Sequence, residues 1–227
     1  MKFWLIGGSV FVAAIGAGLA LAMQHPGVAC AQLPAEAGPV YADGPVPPAV
    51  VERIEHHAER AAARIEATFG APRSRPRILV VADAEAAAAW GANGTASMHR
   101  APWGSCIVLG PEGRSVDVIA HEWLHAEIQH RVGFWRFLRE MPTWFDEGAA
   151  LLVDHREPYR PGNIDLPEHS IEAMRDLDRG SEFFAGDVRT HYQAARLAVE
   201  PLIRAETFFD DLERVGAGEP FDEVFGR

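Results

Sequence analysis

The stretch HEWLH, His121 to His125, lies in the middle of the chain, within AHEWLHAEIQHRV, residues 120–132. On an α-helix, residues four apart lie on one face, one turn above the other. His121 and His125 can therefore direct both imidazoles at a single metal ion. Glu122, adjacent to the first histidine, can then reach a metal-bound water without being a ligand itself. The spacing indicates a helix that carries two metal ligands and a general base.

A catalytic zinc site also needs a third protein ligand and an open position for water. The segment PTWFDEGAALLVD, residues 142–154, begins at a helix stop, Pro142, and has apolar residues at helical spacing. A second helix here could carry Glu147 to the metal. Two alternatives stay open: HEWLH as an ordinary amphipathic helix that happens to hold two histidines, and Glu147 as a solvated surface acid.

HEWLH followed by PTWFDEG resembles the gluzincin branch of zinc metallopeptidases, often called peptidase MA-like. Those proteins carry H-E-x-x-H on one helix and P-x-W-x-x-E-G on the next, and the similarity extends from about residue 78 to the C-terminus. The resemblance implies Zn²⁺ held by His121, His125 and Glu147, with Glu122 as the general base in peptide-bond hydrolysis. The interval between the motifs is longer than in the aminopeptidases of that branch, so aminopeptidase specificity is not implied.

Other residues have candidate roles around this centre. Relatives in the branch use a downstream tyrosine to stabilise the oxyanion beside the metal, and Tyr192 in THYQAA is the best match, with a core aromatic as the alternative. Asp154 lies two helical turns beyond Glu147 and could accept a hydrogen bond from one of the histidines, or be a solvated aspartate at a helix end. Asp146, adjacent to Glu147, should face elsewhere on the helix and is not expected at the site.

The remaining patterns predict an α+β fold. Apolar residues at helical spacing follow Pro48, a short apolar run over residues 78–82 predicts a buried strand, and ASMHR and SCIVLG predict a hairpin. From Arg114 onward the chain has mostly helical patterns. We therefore expect a small N-terminal mixed β-sheet with helices, a zincin-like active-site helix and a mostly helical C-terminal half. The strand that ends at Arg100 should border the cleft, where His99 or Arg100 could contact substrate.

The N-terminus predicts export. Residues 3–23 contain no charge and follow Lys2, which is typical of a transmembrane anchor or of a signal peptide over residues 1–24. Residues 25–46 are rich in proline and glycine and predict a flexible linker, and residues 47–227 should form the metallopeptidase domain. Either N-terminal reading places that domain outside the cytoplasm, in the periplasm or anchored to the membrane. Lipidation of Cys30 is a third, weaker option.

Composition excludes several classes of function. The net charge of −11 argues against a nucleic-acid partner. The sequence contains no Gly-x-Ser-x-Gly, no Gly-x-Gly-x-x-Gly and no P-loop. The two cysteines, Cys30 and Cys106, do not form a C-x-x-C motif, but an oxidising compartment would permit a disulfide between them.

These observations favour an exported zinc metallopeptidase that acts on a peptide or protein substrate. One alternative is a catalytically weak or inactive zincin-fold protein that serves as a binding or scaffold module of the cell envelope. An intact Glu122 speaks against that alternative, because a binding module has no need of the base. A second alternative is a helical envelope protein with an accidental HEWLH, which predicts Glu147 far from both histidines.

Overall fold

The structure, a computed structural model, describes Cys30, Leu33 and residues 39–226. The predicted signal peptide or anchor, residues 1–24, lies outside the described residues, as does most of the predicted linker. Within the described part, no helix is long and apolar enough to cross a membrane.

The expected α+β architecture is confirmed. Four strands form one mixed sheet in the order β1-β2-β4-β3: β1 (Val40–Asp43), β2 (Arg77–Val81), β3 (Ala96–Ala101) and β4 (Gly104–Leu109). Strands β1, β2 and β4 run parallel, and β3 pairs antiparallel with β4 as the predicted hairpin. Strand β3 is therefore an edge of the sheet.

Helices account for most of the remaining described chain. Their bounds are α1 (Pro48–Phe69), α2 (Ala84–Ala89), α3 (Val116–Val132), α4 (Phe134–Glu140), α5 (Thr143–Ala150), α6 (Glu168–Met174), α7 (Gly180–Phe183), α8 (Val188–Val199), α9 (Phe208–Ala217) and α10 (Phe221–Phe225). Short 3₁₀ turns occupy Pro111–Gly113, Glu157–Tyr159 and Pro161–Asn163. The C-terminal half is helical, as the sequence predicted.

Alternation along the strands gives the sheet two buried faces. Ile78 and Val80 on β2 pack into the main core with the helices, whereas Leu79 and Val81 pack into a smaller cluster on the opposite face, which also contains Cys106. Successive strand residues point to opposite faces, so a strand covered on both sides must be apolar throughout. This explains why β2 and β4 have continuous apolar runs.

Helix α3 lies at the centre of the main core. It is buried on almost every side, and it packs against α1, α5, α9 and the sheet. The Ser115 side chain caps its first turn by accepting a hydrogen bond from the Val118 amide, and Gly133 ends it with φ of 84°. A helix held from all sides has little freedom to tilt or rotate, which suits it to carry ligands in fixed positions.

The predicted linker, residues 25–46, ends earlier than expected. Residues 40–43 form β1, the outermost parallel strand, rather than part of a flexible segment. Upstream of it, Cys30 is buried and joined to Cys106 on β4 by a disulfide. Arg77 also donates a hydrogen bond to the Leu33 carbonyl. The sheet and the disulfide thus attach this part of the chain to the domain.

Helices α5 and α8 approach each other closely at Gly148. A Cβ atom built at Gly148 would lie 2.6 Å from Val199 Cγ1 and closer still to the Ala195 carbonyl oxygen. Only a residue without a side chain lets the two helices pack at this distance. The contact matters for the site, because Glu147 lies beside Gly148 on α5 and Tyr192 lies on α8.

Replacing Gly148 by alanine should therefore destabilise the fold. The added methyl group would overlap backbone atoms that cannot move independently, and overpacking of this kind costs about 1–3 kcal/mol. Urea unfolding followed by circular dichroism measures the change. Gly162→Ala is the matched control, since a Cβ at Gly162 would meet nothing within 4 Å. Equal unfolding midpoints for the two variants would show that the close approach is unimportant.

Candidate metal centre

The two histidines of HEWLH lie on α3 as the spacing predicted. Each is only 4% exposed, and their Nε2 atoms are 3.2 Å apart. Buried imidazoles are unusual unless their nitrogens have partners, because each nitrogen loses contact with water. The partners of all four ring nitrogens therefore define the site.

Glu147 on α5 faces both histidines. Its Oε2 atom lies 3.4 Å from His121 Nε2 and 3.4 Å from His125 Nε2. The same oxygen is buried and makes no hydrogen bond to any described residue. The structure thus brings together the three residues that the sequence singled out as metal ligands, and Glu147 is not a solvated surface acid.

The three atoms have the spacing that a tetrahedral metal requires. Zinc bound to nitrogen or oxygen at 2.0–2.1 Å places neighbouring ligand atoms about 3.3 Å apart. The observed separations are 3.2, 3.4 and 3.4 Å. Two imidazoles and one carboxylate also form a donor set typical of catalytic zinc. The three residues therefore fit a single zinc-sized cation, and such an ion would give the buried Glu147 Oε2 atom a partner.

Each histidine has a carboxylate at its outer nitrogen. His121 Nδ1 lies 3.4 Å from Asp154 Oδ2, and His125 Nδ1 lies 3.0 Å from Asp146 Oδ1. Both aspartates are buried. A carboxylate at Nδ1 fixes the ring orientation and favours the tautomer that leaves Nε2 free for a metal.

Each of these aspartates in turn binds an arginine. Arg156 Nε donates to both carboxylate oxygens of Asp154, at 2.9 and 2.8 Å, and Arg100 Nη2 donates to Asp146 Oδ2 at 2.6 Å. The Arg100 guanidinium also stacks over the Phe137 ring, 4.4 Å from its centroid. The arginines neutralise the aspartates and hold them in place.

One expectation from the sequence is corrected here. Asp146 was expected to face away from the site, but its Oδ1 atom lies 3.0 Å from His125 Nδ1. Asp146 is rotated by about 100° from Glu147 around the helix axis, and the two carboxylates therefore reach different nitrogens of His125. The acidic residue directly before Glu147 was the signal in the sequence that could have identified this contact. Arg100, a candidate substrate contact, pairs with Asp146 and also lines the cleft, so that role stays a prediction.

A cleft of about 220 Å³ opens over the three ligands. The half-buried Glu122 lines it, and so does Tyr192, whose ring centroid lies 6.2 Å from that of His121. Strand β3 forms another wall, with Ser97, Met98 and Arg100. The candidate base, the candidate tyrosine and the sheet edge that the sequence predicted at the site therefore share one cavity with the three candidate metal ligands.

The charges of His121, His125 and Glu147 strongly affect one another's pKa values. Burial would lower the pKa of His121, but the Asp154 and Glu147 carboxylates outweigh it and raise that pKa to about 9. Burial likewise opposes the charged form of His125, yet Asp146 and Glu147 raise its pKa well above the ordinary value. Burial would raise the pKa of Glu147, but the two histidines lower it well below the ordinary value. In the metal-free protein the two histidines are therefore protonated at the position where a metal would bind.

Comparisons with known proteins returned no family model, no curated protein and no solved structure that matches this chain. The resemblance to gluzincins stays a prediction from the two motifs.

Zinc binding should release protons and weaken as the pH falls. Metal ligation needs neutral imidazoles, whereas His121 and His125 have raised pKa values in the metal-free protein, so each must lose its proton. At pH 7 we expect release of about two protons per zinc, and a loss of affinity approaching 100-fold for each pH unit lowered. Isothermal titration calorimetry in buffers of different ionisation enthalpy measures the number of protons released per zinc.

The matched variant is Asp154→Asn, which removes the carboxylate that raises the pKa of His121. It should release fewer protons at pH 7 than the wild type, while Asp210→Asn, at an exposed position, should behave like the wild type. Zinc binding without proton release at pH 7 would contradict the prediction.

Proposed function

We propose that this chain is an exported zinc-dependent metallopeptidase that hydrolyses peptide bonds with Glu122 as the general base. The observation that carries the proposal is the triangle of His121 Nε2, His125 Nε2 and Glu147 Oε2, open to a cleft that also contains Glu122. Structural zinc sites are closed by four protein ligands, whereas catalytic sites have three and an open position. Three candidate ligands come together among the described residues.

Different residues of the chain would have different roles in the reaction. When bound, zinc would polarise the substrate carbonyl and lower the pKa of an attacking water. Glu122 takes the proton of that water and passes it to the leaving amine. Asp146 and Asp154 hold the two imidazoles in orientation, so the ligand atoms stay in place through the reaction.

Tyr192 suits the role of oxyanion donor. Burial, together with the nearby Glu147 and Glu122, raises the pKa of its hydroxyl above the ordinary value. The hydroxyl therefore keeps its proton at neutral pH and can donate a hydrogen bond to developing negative charge on the substrate oxygen. Its ring is held by contacts with Phe183 and Tyr159, at centroid distances of 5.4 and 5.7 Å.

Export is supported by two independent features of the chain. The uncharged segment of residues 3–23 follows Lys2 at the N-terminus. The disulfide between Cys30 and Cys106 is typical of proteins that fold in an oxidising compartment. We therefore place the catalytic domain outside the cytoplasm, with peptides or proteins as its substrates and no nucleic-acid partner.

Glu122→Gln should keep the metal and lose activity. The amide cannot accept the proton of the attacking water, so cleavage of a mixed peptide library should fall by about 100-fold or more, with one zinc per chain retained. His121→Ala should lose both zinc and activity. His130→Ala is the control, because His130 is exposed on the same helix, and it should retain both. Metal analysis and mass spectrometry of the digested library measure the two quantities.

The same experiment separates the alternatives. One zinc per chain in the wild type with no cleavage of any peptide would favour the zincin-fold binding or scaffold protein. No zinc in the wild type would mean that HEWLH is accidental. Equal cleavage by the wild type and Glu122→Gln would show that Glu122 is not the general base.

Tyr192→Phe should lower kcat and leave KM nearly unchanged. Loss of one donor to an oxyanion typically costs about 100-fold to 1,000-fold in kcat. Tyr159→Phe is the matched control, since Tyr159 packs against Tyr192 but does not line the cleft. Steady-state kinetics on the best library peptide measures both constants. A core role for Tyr192 would instead give similar kcat values for the two variants, with a loss of thermal stability in Tyr192→Phe.

A further inference from the structure

An apolar surface lies outside the cleft, at the end of the sheet where β4 begins. Trp103, Trp135 and Leu138 are 52%, 68% and 57% exposed, which is unusual for side chains of this size. Trp103 and Phe134 line one groove, and the rings of Phe134 and Trp135 meet edge to face with centroids 4.9 Å apart. Leu138 lies three residues beyond Trp135 on α4, which places the two on neighbouring positions of the helix surface. We call these four residues the aromatic face.

A concentration of positive charge adjoins the aromatic face. Arg73, Arg75 and Arg77 line the same groove as Trp103 and Phe134, and among the described residues no acidic side chain lines it. Arg75 donates to the backbone carbonyls of Pro72 and Ser74, whereas Arg73 pairs with a glutamate outside the groove. In a chain of net charge −11, this local excess is notable. Tryptophan and leucine beside arginine suit the headgroup layer of an anionic bilayer.

The covalent path of the chain leads to the same end of the sheet, where Cys106 packs on the face opposite the helices. The disulfide joins Cys30 to Cys106, which lies three residues after Trp103, and Arg77 binds the Leu33 carbonyl. The uncharged run ends at Met23, seven residues before Cys30. Seven residues span at most ~25 Å. A bilayer that holds residues 3–23 would therefore lie within this reach of the end of the sheet that carries the aromatic face.

We propose that the aromatic face and its arginine groove rest on the headgroup layer of an anionic membrane in which residues 3–23 anchor the chain. The proposal depends on the predicted anchor and not on the metal centre, so either can fail without the other. The cleft is lined by Ser97, Met98 and Arg100 of β3, whereas none of the four residues of the aromatic face lines it. Contact through the aromatic face would leave the cleft accessible to a substrate outside the membrane.

Tryptophan quenching by brominated lipids tests the proposal on the full chain. The parent carries Trp4→Phe, which removes the tryptophan of the uncharged run, and is reconstituted into vesicles of phosphatidylcholine and phosphatidylglycerol with brominated acyl chains. We expect its emission to be quenched, and most of that quenching to disappear in Trp103→Phe/Trp135→Phe. The control is Trp90→Phe, because Trp90 binds Asp43 at the opposite end of the sheet and should leave the quenching unchanged.

Each other outcome overturns part or all of the proposal. Equal quenching in the parent and the double variant would mean that the aromatic face does not contact lipid. A purified chain whose mass lacks residues 3–23 would remove the anchor on which the geometry rests. Self-association of the chain with no bromine quenching would assign the face to a second copy. Undiminished quenching in phosphatidylcholine alone would exclude a role for the arginine groove. Thermal melting verifies that the surface variants remain folded.

Discussion

Two histidines and a glutamate buried within hydrogen-bonding range of one another impose the constraint around which the fold is arranged. Buried polar groups destabilise a protein unless each is compensated. Here each imidazole has an aspartate at its outer nitrogen and each of the two aspartates has an arginine, in two chains that meet at Glu147: Arg100–Asp146–His125 and Arg156–Asp154–His121. With neutral histidines the cluster carries two positive and three negative side chains. The remaining negative charge is one that a bound divalent cation would offset.

The cluster can form only when sheet and helices are assembled. Its members come from β3, α3, α5 and the segment after α5, which are distant in sequence. Gly148 lets α8 approach α5, and this approach brings Tyr192 over the ligands. Because the ion pairs of the cluster form only in the packed arrangement, packing and polar contacts stabilise each other here. A shift of one helix would leave several buried groups without partners at once.

The sequence predicted what depends on local spacing. The helix that starts at Pro48, the β3–β4 hairpin and the two histidines one turn apart follow from periodicity and are present in the structure. Features set by long-range geometry were missed. The four residues of β1 have too short a pattern to signal a strand, and they are ordered by parallel pairing with β2. The contact between Asp146 and His125 was missed. A residue's position along a helix indicates which side of the helix it faces, but not which atoms of a neighbouring helix lie there.

Burying this cluster has a free-energy cost, and that cost helps to decide whether the chain is an enzyme or a scaffold protein. Apolar residues of similar volume often stabilise a core as well as, or better than, buried ion pairs do. A module that needed only stability would gain little from seven interacting polar side chains at its centre. A metal bound by His121, His125 and Glu147, with its opposite side open to a cleft that contains Glu122, would give those side chains a use that stability alone does not. The arrangement therefore favours the proposed enzyme over a scaffold, and the half-buried Glu122 in the cleft is the residue on which this preference depends.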